Sequence, residues 1–160
     1  MTKITSLLNQ KVFIGQETSL LLKDLEGNGD YVNSQYFPSL IKASVVFEEL
    51  EKNNLIIDLR SPESFRKGHI RGAVSKTFSD LPEYFETGIR PFEYNRIIMV
   101  CDDGQLSSYT TAFLRLFGYD ARTLRYGNNS FMHDKMVKDK AALSWLPFTL
   151  AESNDYPVVK

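Results

Sequence analysis

The sequence holds a single cysteine, Cys101. One thiol makes no intrachain disulfide, so the fold cannot depend on an oxidising compartment, and one sulfur is left free to react. Histidine is nearly as scarce: His69 and His133, in unrelated contexts, cannot complete a zinc site with one cysteine. No run approaches the roughly 20 apolar residues of a membrane helix. Met1 to Gly15 is interrupted by Lys3, Asn9, Gln10 and Lys11, which denies it the apolar centre of a signal peptide. An excess of one charge is missing too: 19 Lys and Arg stand against 20 Asp and Glu, net −1, with no long block of either sign. A nucleic-acid partner is therefore not expected, nor a membrane, and the default compartment is the cytoplasm.

What is present describes one packed domain. At 160 residues, 42% hydrophobic and 24% charged, the chain is large enough for one core and small for two. Three zones separate by pattern. Residues 1–38 read as an N-terminal extension, helical near Ser19 to Leu25 and turn-rich at Glu26 to Asp30, packing on the domain through Tyr36 and Phe37. Residues 39–132 alternate short apolar runs with helical stretches, as a central, mainly parallel sheet flanked by helices requires. Residues 133–160 read as a C-terminal helix and polar tail.

Within the middle zone, Ser44 to Asn53 predicts a helix with Val46, Phe47 and Leu50 on one face, followed by a strand at Leu55 to Leu59. Ser61, Pro62 and Glu63 read as an N-cap, a first-turn proline and a dipole-matched acid, opening a short helix that stops at Gly68. A further short helix is expected at Asp80 to Glu86 and strands at Arg96 to Val100 and Ala121 to Arg125. Ser107 to Phe117 is the clearest helix, with Tyr109, Ala112, Phe113, Leu116 and Phe117 at helical spacing. The aromatic residues, 12% of the chain, read as core.

The chemistry concentrates in Cys101-Asp102-Asp103-Gly104-Gln105-Leu106-Ser107, between a buried strand and a helix. Such a connection aims successive N–H groups and the positive end of the helix dipole at one point, where a thiolate or an anionic adduct is favoured. By itself the loop leaves a second reading open, in which the cysteine is a small buried hydrophobe at a strand end.

Leu55 to Ala73, with Asp58-Leu59-Arg60 and then Gly68-His69-Ile70-Arg71-Gly72-Ala73, resembles the rhodanese-like family's Asp-x-Arg and Gly-His-Ile-x-Gly-Ala signatures. The cysteine loop, Gly118-Tyr119 and Leu124-Arg125-Tyr126-Gly127 follow in the family's order, so the resemblance spans residues 39 to 132. It implies a sulfurtransferase domain in which Cys101 is the sulfur-accepting nucleophile and Asp102, Asp103, Gly104, Gln105, Leu106 and Ser107 surround the persulfide. No metal or organic cofactor is implied. Asp58, Arg60 and His69 are assigned to support, as a buried ion pair and a hydrogen-bonded turn.

Two departures bear on the substrate. Leu106 stands where many family members close the loop with arginine, so a cation suited to thiosulfate is missing. Asp102 and Asp103 bring negative charge beside the thiol unless they point outward. Arg66, Lys67, Arg71 and Arg125 are candidates to restore positive charge. A related phosphatase would need arginine at Ser107 to grip phosphate and is set aside. Two functions remain: a persulfide transferase fed by a small sulfur donor of low charge or by a persulfide-carrying protein, and a rhodanese-like binding or regulatory module without turnover.

Overall fold

The computed structural model describes residues 19, 20, 23, 38–90, 93–142 and 152–160. Ser19, Leu20 and Lys23 are helical; Tyr36 and Phe37, through which the extension was expected to pack, lie outside the described residues. In chain order the elements are β1 (Leu40–Ile41), α1 (Ala43–Glu48), β2 (Asn54–Asp58), α2 (Pro62–Lys67), β3 (Val74–Ser75), a 3-10 turn at Phe78–Asp80 running into α3 (Leu81–Glu83), β4 (Arg96–Val100), α4 (Gln105–Leu116), β5 (Ala121–Leu124), α5 (Asn128–Phe131) and α6 (His133–Lys138).

The five strands form one sheet in the order β1-β5-β4-β2-β3, every pairing parallel. Side chains of successive strand residues point to opposite faces, and here that parity places the sulfur. Ile98 and Val100 of β4 join Ile41, Val46, Ile56, Leu124, Phe131 and Met136 in the core beneath α1, α5 and α6. Ile97, Met99 and Cys101 join Leu55, Ile57, Leu81 and Leu114 in the core beneath α3 and α4. Cys101 therefore leaves the carboxyl end of a central strand on the α4 side. Both edge strands are only two residues long, which limits the unpaired backbone they present.

Local chemistry explains the element ends. Ser61 Oγ accepts from Ser64 N–H at 3.2 Å, capping α2 over Pro62. Thr77 and Asp80 cap one another ahead of α3, with Thr77 N–H donating to Asp80 Oδ2 at 2.9 Å. The single helix expected at Asp80 to Glu86 is instead the 3-10 turn, α3 and a wide turn from Tyr84 to Gly88.

Helix α4 corrects the reading of the aromatics as core. Its sheet-facing side is largely polar: Ser107, Thr110, Thr111 and Arg115 are buried, while Leu106, Tyr109, Phe113 and Leu116 are exposed. The buried groups are satisfied locally. Thr123 donates to Thr111 Oγ1 at 2.8 Å, Thr110 to Leu106 O at 2.9 Å and Arg115 to Ala121 O at 3.2 Å. Small hydroxyl side chains let the helix sit close to β5 at little desolvation cost because each finds a partner.

The last residues return to the domain. Val159 and His69 exchange backbone hydrogen bonds of 2.9 and 3.0 Å, and Tyr156 stacks on Phe47 with ring centroids 4.3 Å apart. Tyr156 and Val158 thus cover the core beneath α1, where a polar tail was expected.

Candidate active site

The loop after β4 turns sharply because Gly104 adopts φ +93°, a conformation that a side chain disfavours. That turn brings Gly104 N–H to 3.1 Å from Cys101 Sγ. Ser107 Oγ lies 3.3 Å from the same sulfur, and Asp103 Oδ1 lies 3.6 Å away, within reach of the thiol proton. The amides do not all converge there: Gln105 N–H is taken by Asp103 Oδ1 at 2.9 Å and Ser108 N–H by Gly104 O at 3.0 Å. Gln105 and Leu106 are exposed at the start of α4.

Burial pushes the Cys101 thiol up from its ordinary range, opposed by the Ser107 hydroxyl and by the amides of Ser107, Asp103 and Gly104, which favour the thiolate. The two acids behave differently. Asp103 both caps α4 and faces the sulfur. Asp102 is half-buried, and desolvation pushes its carboxyl up against the opposing pull of Arg60, with Asp58 and Asp103 adding repulsion.

Beneath the loop lies the Asp58–Arg60 pair. Arg60 donates through Nε to both Asp58 oxygens at 3.0 Å and through Nη2 to Oδ2 at 2.7 Å, and Nη2 also reaches Gly68 O at 2.8 Å. Both side chains are buried, and the pair ties the end of β2 to the end of α2. His69 is bound into the same turn: Nδ1 lies 3.0 Å from Phe65 O and its ring stacks on Phe65 at 3.6 Å. These contacts hold backbone in place and do not touch the sulfur.

Residues beyond the cysteine loop brace it from the other side. Asn128 N–H donates to Cys101 O at 2.8 Å, and Asn129 donates to Asp102 O through its amide side chain at 2.7 Å. Gly127 lies so close that a Cβ there would sit 2.3 Å from Cys101 O. The glycine turn was visible in sequence, but the two asparagines carry no motif and only their position just after it could have pointed to them.

The cations that sequence offered for the mouth are largely engaged elsewhere. Arg71 pairs with Glu51, Lys67 with Glu63 at 2.9 Å and Arg125 with Glu152 at 3.4 Å. Among the described residues no group of three or more His, Cys, Asp or Glu side chains is placed to hold a metal ion, and no helix is long and apolar enough to cross a membrane.

Comparison with known proteins agrees with this fold. A tRNA uridine(34) hydroxylase of Brucella anthropi is 28% identical over 99 residues, which is 60% of this chain but only 30% of that protein. The fold is shared with a rhodanese-related protein of Thermoplasma volcanium, at TM-score 0.53 and 20% identity over 59% of this chain and 91% of that one. It is shared also with a thiosulfate sulfurtransferase of Pseudomonas aeruginosa, at TM-score 0.53 and 19% identity over 60% of this chain and 18% of that one. The family model described as a rhodanese-like domain matches residues 43–134, from the start of α1 into α6, and the chain belongs to that family.

Proposed function

We propose that this protein is a sulfurtransferase that carries sulfane sulfur on Cys101. The supporting observation is the sulfur itself, set at the end of β4 with Gly104 N–H at 3.1 Å and the Ser107 hydroxyl at 3.3 Å. The Cys101 thiolate attacks the outer sulfur of a donor. A new S–S bond forms, the donor's own bond to that sulfur breaks, and its electron pair leaves with the donor remainder. Amides and the helix dipole then stabilise the anionic persulfide. A nucleophilic acceptor takes the terminal sulfur and returns the thiolate.

The preferred donor has little negative charge or is a persulfide carried on a protein. Asp103 Oδ1 at 3.6 Å from the sulfur repels a dianion such as thiosulfate, and Leu106 supplies no compensating cation. The test is mass spectrometry of the purified chain after incubation with thiosulfate or with a protein persulfide. A one-sulfur increment on Cys101, larger with the persulfide and absent in Cys101→Ser, is the expected result. No increment with any donor would overturn the proposal. The non-catalytic module then becomes the better reading, favoured by the same buried thiol and adjacent carboxylate.

A further inference from the structure

The outer face of α4 is built as a seam. Leu106, Tyr109, Phe113 and Leu116 are 39%, 55%, 42% and 38% exposed, and Phe117 just past the helix end is 71% exposed. Their spacing of three, four and three residues is the heptad pattern by which one helix packs along another. The only charged residue of α4, Arg115, is turned inward, so no exposed charge interrupts the stripe. Phe78, also exposed, widens it, its ring 5.8 Å from Tyr109. Together these side chains leave on the order of 600 Å² of apolar surface, at the upper end of what a monomer ordinarily shows.

We propose that two copies of the chain pair through this face, with their α4 helices antiparallel about a two-fold axis. The spacing selects the occupant. Three-four-three reads the same in both directions, so an antiparallel copy sets Tyr109 against the partner's Phe113 and Leu106 against the partner's Leu116. Each patch meets its own likeness, as an isologous interface requires. Two such patches come to about 1,200 Å², the lower bound of a standard stable interface. Gln105 and Ser108, exposed beside the stripe, supply a polar rim. Leu106 belongs to both the seam and the cysteine loop, so the partner's Leu116 rests at the rim of the site. The pairing stands on the α4 face alone and does not depend on the sulfur-transfer reading.

Sedimentation velocity and light scattering on the full chain, from roughly 1 to 200 µM, bracket a micromolar Kd. A shift from monomer to dimer is expected, with Tm rising as concentration rises. Tyr109→Glu and Phe113→Glu each place a charge in the seam, and each should stay monomeric throughout while keeping the Tm of dilute wild type. A wild type monomeric at the highest concentration, or a dimer that survives both substitutions, would overturn the proposal. Direction is read in a Cys101→Ser background: Tyr109→Cys mixed with Phe113→Cys should form an interchain disulfide under mild oxidation. Efficient cross-linking within either single variant, and none in the mixture, would refute the antiparallel register.

Discussion

Replacing Asp103 by Asn removes a negative charge whose Oδ1 lies 3.6 Å from Cys101 Sγ, while leaving an oxygen to accept from Gln105 N–H. At that distance a unit charge disfavours the thiolate by about 1 kcal/mol at the dielectric of water and about 4 to 5 kcal/mol at an effective value near 20. Asp103 is only partly buried, so the lower part of the range applies, about 1 to 2 kcal/mol. The thiolate population near neutral pH then rises roughly 5- to 30-fold. Intrinsic nucleophilicity falls as the thiolate becomes easier to form, with a Brønsted coefficient of about 0.4 to 0.5, leaving a net gain of roughly two- to eightfold. The assay is the second-order rate of Cys101 alkylation by iodoacetamide across pH 6 to 10, a neutral reagent that isolates the thiolate from donor charge. The pH profile should move to lower pH, and thiosulfate should gain more than iodoacetamide because its own repulsion is relieved as well. An unchanged profile would refute the placement of this carboxylate as a restraint on the thiol added to that of burial.

Other outcomes follow from the neighbouring contacts. Asp102→Asn should raise Tm at pH 7, because burial pushes this carboxyl up and its ionised form destabilises the fold as pH rises through its range; the gain should vanish in acid, below the ordinary carboxylate range. Arg60→Met leaves Asp58 buried and unpaired and frees Gly68 O, so urea unfolding should show a loss of about 3 to 5 kcal/mol. Gly127→Ala forces a Cβ to within 2.3 Å of Cys101 O at a positive φ of 57°, so both Tm and the Cys101 alkylation rate should change, the first by a loss above roughly 1 kcal/mol.

Much of this architecture is legible in the residues. The strand at Arg96–Val100 is continuous apolar sequence and is found where expected, and β2 is displaced by a single residue. The N-terminus of α4 is not legible in the same way. It starts at Gln105, ahead of the expected Ser107, because Gly104 takes a positive φ and Asp103 accepts the first free N–H, a side-chain choice that periodicity does not encode. Periodicity did find the apolar stripe of α4 but not which side meets the sheet. Ser107, Thr110, Thr111 and Arg115 look like a solvent face until their partners on β5 and within the helix are known. In the site, Cys101 and its loop are visible from sequence, whereas the bracing by Asn128 and Asn129 depends on two segments meeting in space.

The return of the final residues sets an order in synthesis. Val159 pairs with His69, and Tyr156 lies on Phe47, contacts that join positions about a hundred residues apart along the chain. Translation at about 5 to 20 residues per second keeps the early partners waiting for several seconds before the late ones emerge. Throughout that interval Phe47 has no cover from Tyr156 and His69 lacks its backbone partner; Phe131, made 25 residues before Tyr156, waits a shorter time for the same ring. A nascent chain whose five strands have left the ribosome while residues 152–160 have not therefore presents one face still adhesive, a form suited to capture by a chaperone.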